Sequence, residues 1–211
     1  LVGSEMCIRD SNYTILTGTL VPYVDDGMDY IPGVIGGNTG SFNFHDVSRL
    51  DYFYDAVKWA AENGIASGTG RYTFSPNAVC TRAQTVTFLW RAAGSPLPRY
   101  RVCPFTDVQP SDYYYNAVLW ASNMGIVNGA TATTFDPNGN VTREQIAAIL
   151  YRYEGSPTVS GSLSGYPDQA QVSSFAVTAM QWAVGTGIIT GVTSGGRTTL
   201  SATVSYTHLR A

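Results

Sequence analysis

Thr81-Arg82-Ala83-Gln84 returns as Thr142-Arg143-Glu144-Gln145, and each copy puts a cation where a helix should begin. A Thr followed three residues later by Gln is a capping box. The hydroxyl accepts the third helical amide, and the Gln side chain reaches back to the Thr backbone. The Arg then falls at the first helical position, where the macrodipole is positive and a cation is mildly unfavourable. Helix-start amides favour anions, and a guanidinium fork grips a carboxylate through two parallel bonds. The chemistry on offer is capture of an acidic group. A competing reading makes Arg82 and Arg143 struts that pair with Asp46, Asp107 or Glu144 and tie the repeated segments together.

The elements that must hold these arginines recur with an offset of about 61 residues. Phe44, Asp46 and Val47 match Phe105, Asp107 and Val108. Trp59-Ala60 matches Trp120-Ala121, and Gly64-Ile65 matches Gly125-Ile126. Gly68 matches Gly129, Phe74 matches Phe135, and Pro76-Asn77 matches Pro137-Asn138, before the two Thr-Arg helices begin. A third copy starts at Tyr166-Pro167-Asp168 and runs through Trp182-Ala183 and Gly187-Ile188 to Gly191. Its own Thr-Arg helix is expected just after Leu200. Each unit reads as helix, loop, helix. Phe53, Ala56, Val57 and Ala60 share one helical face, opposite Asp55, Lys58 and Glu62. Ala83, Val86, Trp90 and Ala93 form the apolar stripe of the second helix, with Ile146, Ile149, Leu150 and Tyr153 in the next unit. Gly64 and Gly94 suit helix ends. A two-helix hairpin cannot bury both faces alone, so the units are expected to pack on one another. The predicted class is mostly α.

The run Phe-x-Asp-Val, Trp-Ala, Gly-Ile, Gly, Phe-x-Pro-Asn and Thr-Arg, in fixed order and repeated, resembles the S-layer homology (SLH) domain. The resemblance covers residues 44–203 in three units, 44–103, 104–164 and an incomplete 165–203. It implies a pseudo-three-fold bundle with grooves between neighbouring units. It also implies non-covalent anchoring of an exported protein to the bacterial cell wall. The partner would be an anionic, pyruvylated secondary wall polysaccharide associated with peptidoglycan. Carried over by position, the ligand-facing candidates are Arg82, Arg143, Asp46, Asp107, Gly68 and Gly129. Trp59 and Trp120 read two ways, as ring faces offered to a sugar or as core. Gly68 and Gly129 likewise either admit a sugar close to the backbone or take positive φ in a turn. The family's commonest motif ends in Glu where this chain has Gln84 and Gln145. The third unit departs further, with Tyr166 for Phe, no Val after Asp168, and Leu200 for the second Phe.

Composition narrows the alternatives. The chain has 211 residues, 44% hydrophobic and 13% charged, with a net charge of -3. That balance gives no basic footprint for nucleic acid, and no apolar run is long enough to insert in a membrane. The only histidines are His45 and His208. No nucleophile-base set, metal-spaced cluster or phosphate loop accompanies them, so neither catalysis, a metal nor a cofactor is expected. Asp136-Pro137-Asn138-Gly139-Asn140 lacks the glycine and the distal acid of a calcium loop, and Asp25, Asp26 and Asp29 have no ligand spacing. The alternatives are the anchor of a surface enzyme with its catalytic domain upstream, or an S-layer lattice protein that self-associates. Either way the chain is expected outside the cell, on the wall.

Residues 1–11 (LVGSEMCIRDS) and 204–211 (VSYTHLRA) resemble translated sequencing-adapter DNA and are set aside, so the genuine chain is expected to extend both ways. Residues 12–43 begin with β-like alternation and dissolve into Gly, Pro and Asp, the expected end of an upstream domain and a linker. Cys80 and Cys103 flank the first Thr-Arg helix. They pair if the following loop runs back along that helix. Otherwise Cys80 is a small apolar residue, as Val141 is in the next unit, and this second reading is preferred.

Overall fold

The computed structural model describes residues 42–203. The β-like stretch, the acidic turn at Asp25, Asp26 and Asp29, and both adapter-like tails lie outside them. The regular structure of the described residues is mostly helical: α1 (Tyr54–Glu62), α2 (Arg82–Ala92), α3 (Tyr115–Asn123), α4 (Arg143–Tyr153) and α5 (Val177–Gly185). A 3-10 turn at Gln169–Gln171 and a hairpin, β1 (Val192–Ser194) with β2 (Arg197–Thr199), complete it. The hairpin is antiparallel, with Val192 opposite Thr199. Its turn, Gly195-Gly196, has positive φ at both residues, the geometry that matches the twist of two short strands. Sequence reading assigned no strand there, although the double glycine was the available signal.

Both capping boxes form. In α2 the Gln84 amide donates to Thr81 Oγ1 at 3.2 Å and the Thr81 amide to Gln84 Oε1 at 2.9 Å. In α4 the matching distances are 3.3 and 3.0 Å. Each such cap stabilises its helix by about 1 kcal/mol. The first helix of each unit ends on a left-handed glycine. Gly64 has φ 68°, and the amide of Ile65 then turns back to the Ala60 carbonyl at 2.8 Å. Gly125 with Ile126 repeats the arrangement.

The packing is between units. Helix α2 lies on α3, the first helix of the following unit, and α4 lies on α5. One face of α2, with Phe88 and Ala92, closes a small core around Val57, Ile65 and Phe74. Its other face, with Val86, Leu89 and Trp90, joins a larger core that runs through Phe135, Ile146 and Leu150 to Met180 and Leu200. A helix buried on both sides cannot leave without exposing two cores, so neighbouring units stabilise one another. The effect is visible in the tryptophans. Trp120 and Trp182 are each 6% exposed and pack against Tyr153 and Tyr151 of α4. Trp59 on α1 stays half-buried, at the edge of the smaller core. Cys80 and Cys103 are both free thiols. Burial pushes the Cys80 thiol up, against an opposing contact with the Thr85 hydroxyl at 3.3 Å, so it behaves as the small apolar residue that Val141 is.

Candidate functional site

The start of α2 does not face its own unit. It docks into the loop 128–141 of the next one. The Arg82 amide donates to the Gly139 carbonyl at 2.9 Å and the Ala83 amide to Pro137 at 3.0 Å. With the capping box, the first four amides of the helix all have partners. The helix start is closed to an anion through its backbone, and any anion chemistry there falls to the Arg82 side chain.

That side chain crosses the same boundary. Arg82 Nε donates to the Phe135 carbonyl at 2.8 Å and Nη2 to the Asn128 carbonyl at 2.9 Å, while the guanidinium sits 4.8 Å from the centroid of the Phe135 ring. Burial lowers the guanidinium's affinity for its proton, and the nearby carboxylates of Asp136 and Asp107 oppose this. Arg82 therefore grips carbonyls rather than pairing directly with an acid. Nη1 takes no part in these bonds, and the residue stays half-buried. Arg143 is only 3% exposed. Beside it, Glu144 reaches into the third unit, its carboxylate accepting from the Ser173 amide at 2.8 Å and the Ser173 hydroxyl at 2.7 Å.

The aspartates clamp backbone. Asp107 accepts the amides of Phe135 and Asp136, both at 2.8 Å, through its two oxygens. Asp46 holds Phe74 and Ser75 at 2.8 and 2.7 Å, and Asp168 holds Leu200 and Ser201 at 2.8 Å each. The second residue in every clamp has positive φ: 62° at Ser75, 58° at Asp136 and 49° at Ser201. Such a conformation is costly away from glycine, and two charge-assisted bonds hold the chain in it. Sequence reading did not assign Asp168 to the site, although its spacing to Leu200 was available.

Burial raises the carboxyls of Asp46 and Asp107, but the backbone amides outweigh it and both sit below the ordinary value of 3.8. A carboxyl depressed in the fold stabilises above its unfolded pKa and loses that contribution as pH falls through its folded one. Stability should therefore decline from about pH 4 downward. Asp107→Asn should flatten that decline in a pH series of urea midpoints.

The loop glycines seat the aromatic that precedes each clamp. A Cβ on Gly68 would lie 2.8 Å from Phe44 Cε1, and one on Gly129 would lie 2.6 Å from Phe105 Cε1. Gly68 also has φ 75°, whereas Gly129 is required by crowding alone. Phe105 packs on Phe135 with centroids 5.5 Å apart. The unit boundary thus gathers Arg82, Asp107, Gly129 and Phe135, with Asn128 and Asp136 added by the structure. Asp46 and Gly68 form the equivalent loop of the first unit. Trp120 packs edge-on to Tyr153, centroids 6.1 Å apart. His45 stacks on Tyr72 at 5.1 Å. Among the described residues no group of His, Cys, Asp and Glu could hold a metal, and no helix is long and apolar enough to cross a membrane.

The model of the S-layer homology domain matches residues 43–86 and 104–147, each from the aromatic-aspartate loop into a Thr-Arg helix. The chain carries S-layer homology domains. It is 33% identical over 161 residues to an endoglucanase of Bacillus sp. (strain KSM-635), covering 74% of this chain and 17% of that protein. It is 30% identical over 168 residues to the surface-layer 125 kDa protein of Lysinibacillus sphaericus, covering 78% and 14%. An amylopullulanase of Thermoanaerobacterium thermosulfurigenes is 35% identical over 123 residues, covering 56% and 6%. The chain thus spans less than a fifth of these relatives. SLH domains bind cell-wall polymers, and the family together with its S-layer relatives places this chain at the cell surface, on the wall, in an anchoring role.

Proposed function

We propose that these SLH units hold an exported protein on the wall by binding an anionic, pyruvylated secondary polysaccharide where one unit meets the next, without catalysis of their own. The observation that carries this reading is Arg82. Its guanidinium is fixed by two carbonyls of the neighbouring unit, is half-buried, and has N–H groups directed to neither. A ketal carboxylate would accept from those groups, with the planar fork already oriented. Asp107 and Gly129 support this contact by shaping the loop from which Phe135 and Asn128 present their carbonyls, and Asp46 and Gly68 do the same in the first unit. The burial of Arg143 supports a packing role for it rather than a ligand contact. Trp59 is the more accessible of the two candidate rings, with Trp120 largely core. In the closed pseudo-three-fold bundle, a third Thr-Arg helix would cover α1 as α2 covers α3.

Arg82→Ala should lower retention on purified wall sacculi about tenfold, which corresponds to roughly 1.4 kcal/mol. Arg82→Lys should recover only part of it, because a point charge lacks the fork. Arg143→Ala should cost stability more than retention. Unchanged retention by folded Arg82→Ala protein would make that arginine a strut. The endoglucanase and amylopullulanase relatives suggest a surface enzyme as the setting for the anchor, and the surface-layer relative a surface-layer protein. The sequence of the whole gene separates them.

A further inference from the structure

Residues 96–102, in the segment that joins α2 to α3, are held down through backbone carbonyls and leave five side chains exposed. Trp90 Nε1 donates to the Pro96 carbonyl at 2.8 Å, the Asn123 side chain to the Tyr100 carbonyl at 2.9 Å, and the Tyr115 hydroxyl to the Arg101 carbonyl at 3.5 Å. Two of those anchors lie on α3, so the strap runs along a helix that the core fixes. Prolines at 96 and 98 stiffen its start. What remains exposed is Leu97, Arg99, Tyr100, Arg101 and Val102, and Met124, next in sequence to the Asn123 anchor, is exposed as well. Tyr100 is 60%, Val102 82% and Met124 62% exposed, and the Arg99 guanidinium lies 5.8 Å from the Tyr100 centroid.

Nothing in the fold requires this chemistry. The next linker is anchored in the same way, by the Tyr151 hydroxyl on the Pro157 carbonyl at 3.1 Å. Its continuation, residues 158–165, contains no charged residue, and Leu163 there is buried. Two arginines one residue apart, around a tyrosine, thus mark the first linker of a chain whose net charge is -3. We infer that the 97–102 strap is a second contact for the acidic wall polysaccharide, outside the boundary site of Arg82. Arg99 and Arg101 would meet successive acidic groups of the polymer, and the Tyr100 ring would cover the apolar face of a sugar. The inference rests on the proposed reading that the wall ligand is an acidic polymer.

The test uses the full chain carrying Arg99→Glu, Tyr100→Ala and Arg101→Glu together, beside the unaltered chain, on sacculi with and without their secondary polymer. The backbone anchors are untouched, so the urea midpoint should not move. Retention on polymer-bearing walls should fall about tenfold, and the remaining retention should depend less on salt. Equal retention of the two proteins on polymer-bearing walls overturns the strap contact and leaves the Arg82 site standing. If the unaltered chain itself ignores the polymer, the acidic-polymer reading fails, and this inference with it. A third outcome, altered self-association in sedimentation with unchanged wall retention, would identify the strap as a protein contact and also refute the proposal.

Discussion

Phe135→Ala should destabilise the chain by about 3–5 kcal/mol in urea denaturation. The ring is fully buried, and three things depend on it. It fills the larger core, packs on Phe105, and lies under the Arg82 guanidinium. Its backbone adds two more functions, because its amide enters the Asp107 clamp and its carbonyl holds Arg82 Nε. Truncation leaves those backbone bonds nominally available but removes the packing that fixes their positions. Stability and wall retention should therefore fall together. Phe74, the counterpart in the first unit, is buried in the smaller core, and Phe74→Ala should cost less. A loss below about 1 kcal/mol for Phe135→Ala would mean that the site can collapse around the missing ring, against the packing argument.

Glu144→Ala is expected to cost about 3 kcal/mol. The carboxylate is 4% exposed and accepts both the amide and the hydroxyl of Ser173, while the Glu144 amide donates to the Ala202 carbonyl at 3.0 Å. Hydrogen bonds to a charged group contribute roughly 1.5–3 kcal/mol each, and deleting the acceptor also leaves a donor to find water in a tight boundary. An acid in the first turn gains slightly from the helix dipole as well. Glu144→Gln keeps the shape and one acceptor and should lose less. A double-mutant cycle with Ser173→Ala should give a coupling of about 1–2 kcal/mol. Additive effects would show that the two residues do not act as a pair. Position 83, the equivalent in the preceding unit, is alanine, so this latch is particular to the boundary between the second and third units.

Within each unit the fold was legible from residue types. The capping boxes at Thr81 and Thr142, the glycine stops at Gly64 and Gly94, and the apolar stripes of α2 and α4 all involve neighbours three or four positions apart, where local rules operate. The contacts between units were not legible. The strut reading pairs Arg82 and Arg143 with the acids Asp46, Asp107 or Glu144 to tie the repeats together. Yet Arg82 lies against Asn128 and Phe135, and Asp46 clamps Phe74 and Ser75. Periodicity shows that a motif recurs but not which neighbour each copy touches. The same gap hid the closure of the α2 amides by Pro137 and Gly139, which moves the anion chemistry from the helix start to the Arg82 side chain. In the third unit, the Gly195-Gly196 turn was present in the sequence, but strands of three residues are too short for alternation to mark them.

The most direct measurement is equilibrium retention of the unaltered chain on purified sacculi, before and after chemical removal of the secondary polysaccharide. The account predicts saturable, salt-sensitive binding to intact walls and loss of most of it on stripped ones. Equal binding to both would contradict it and place the contact on peptidoglycan itself.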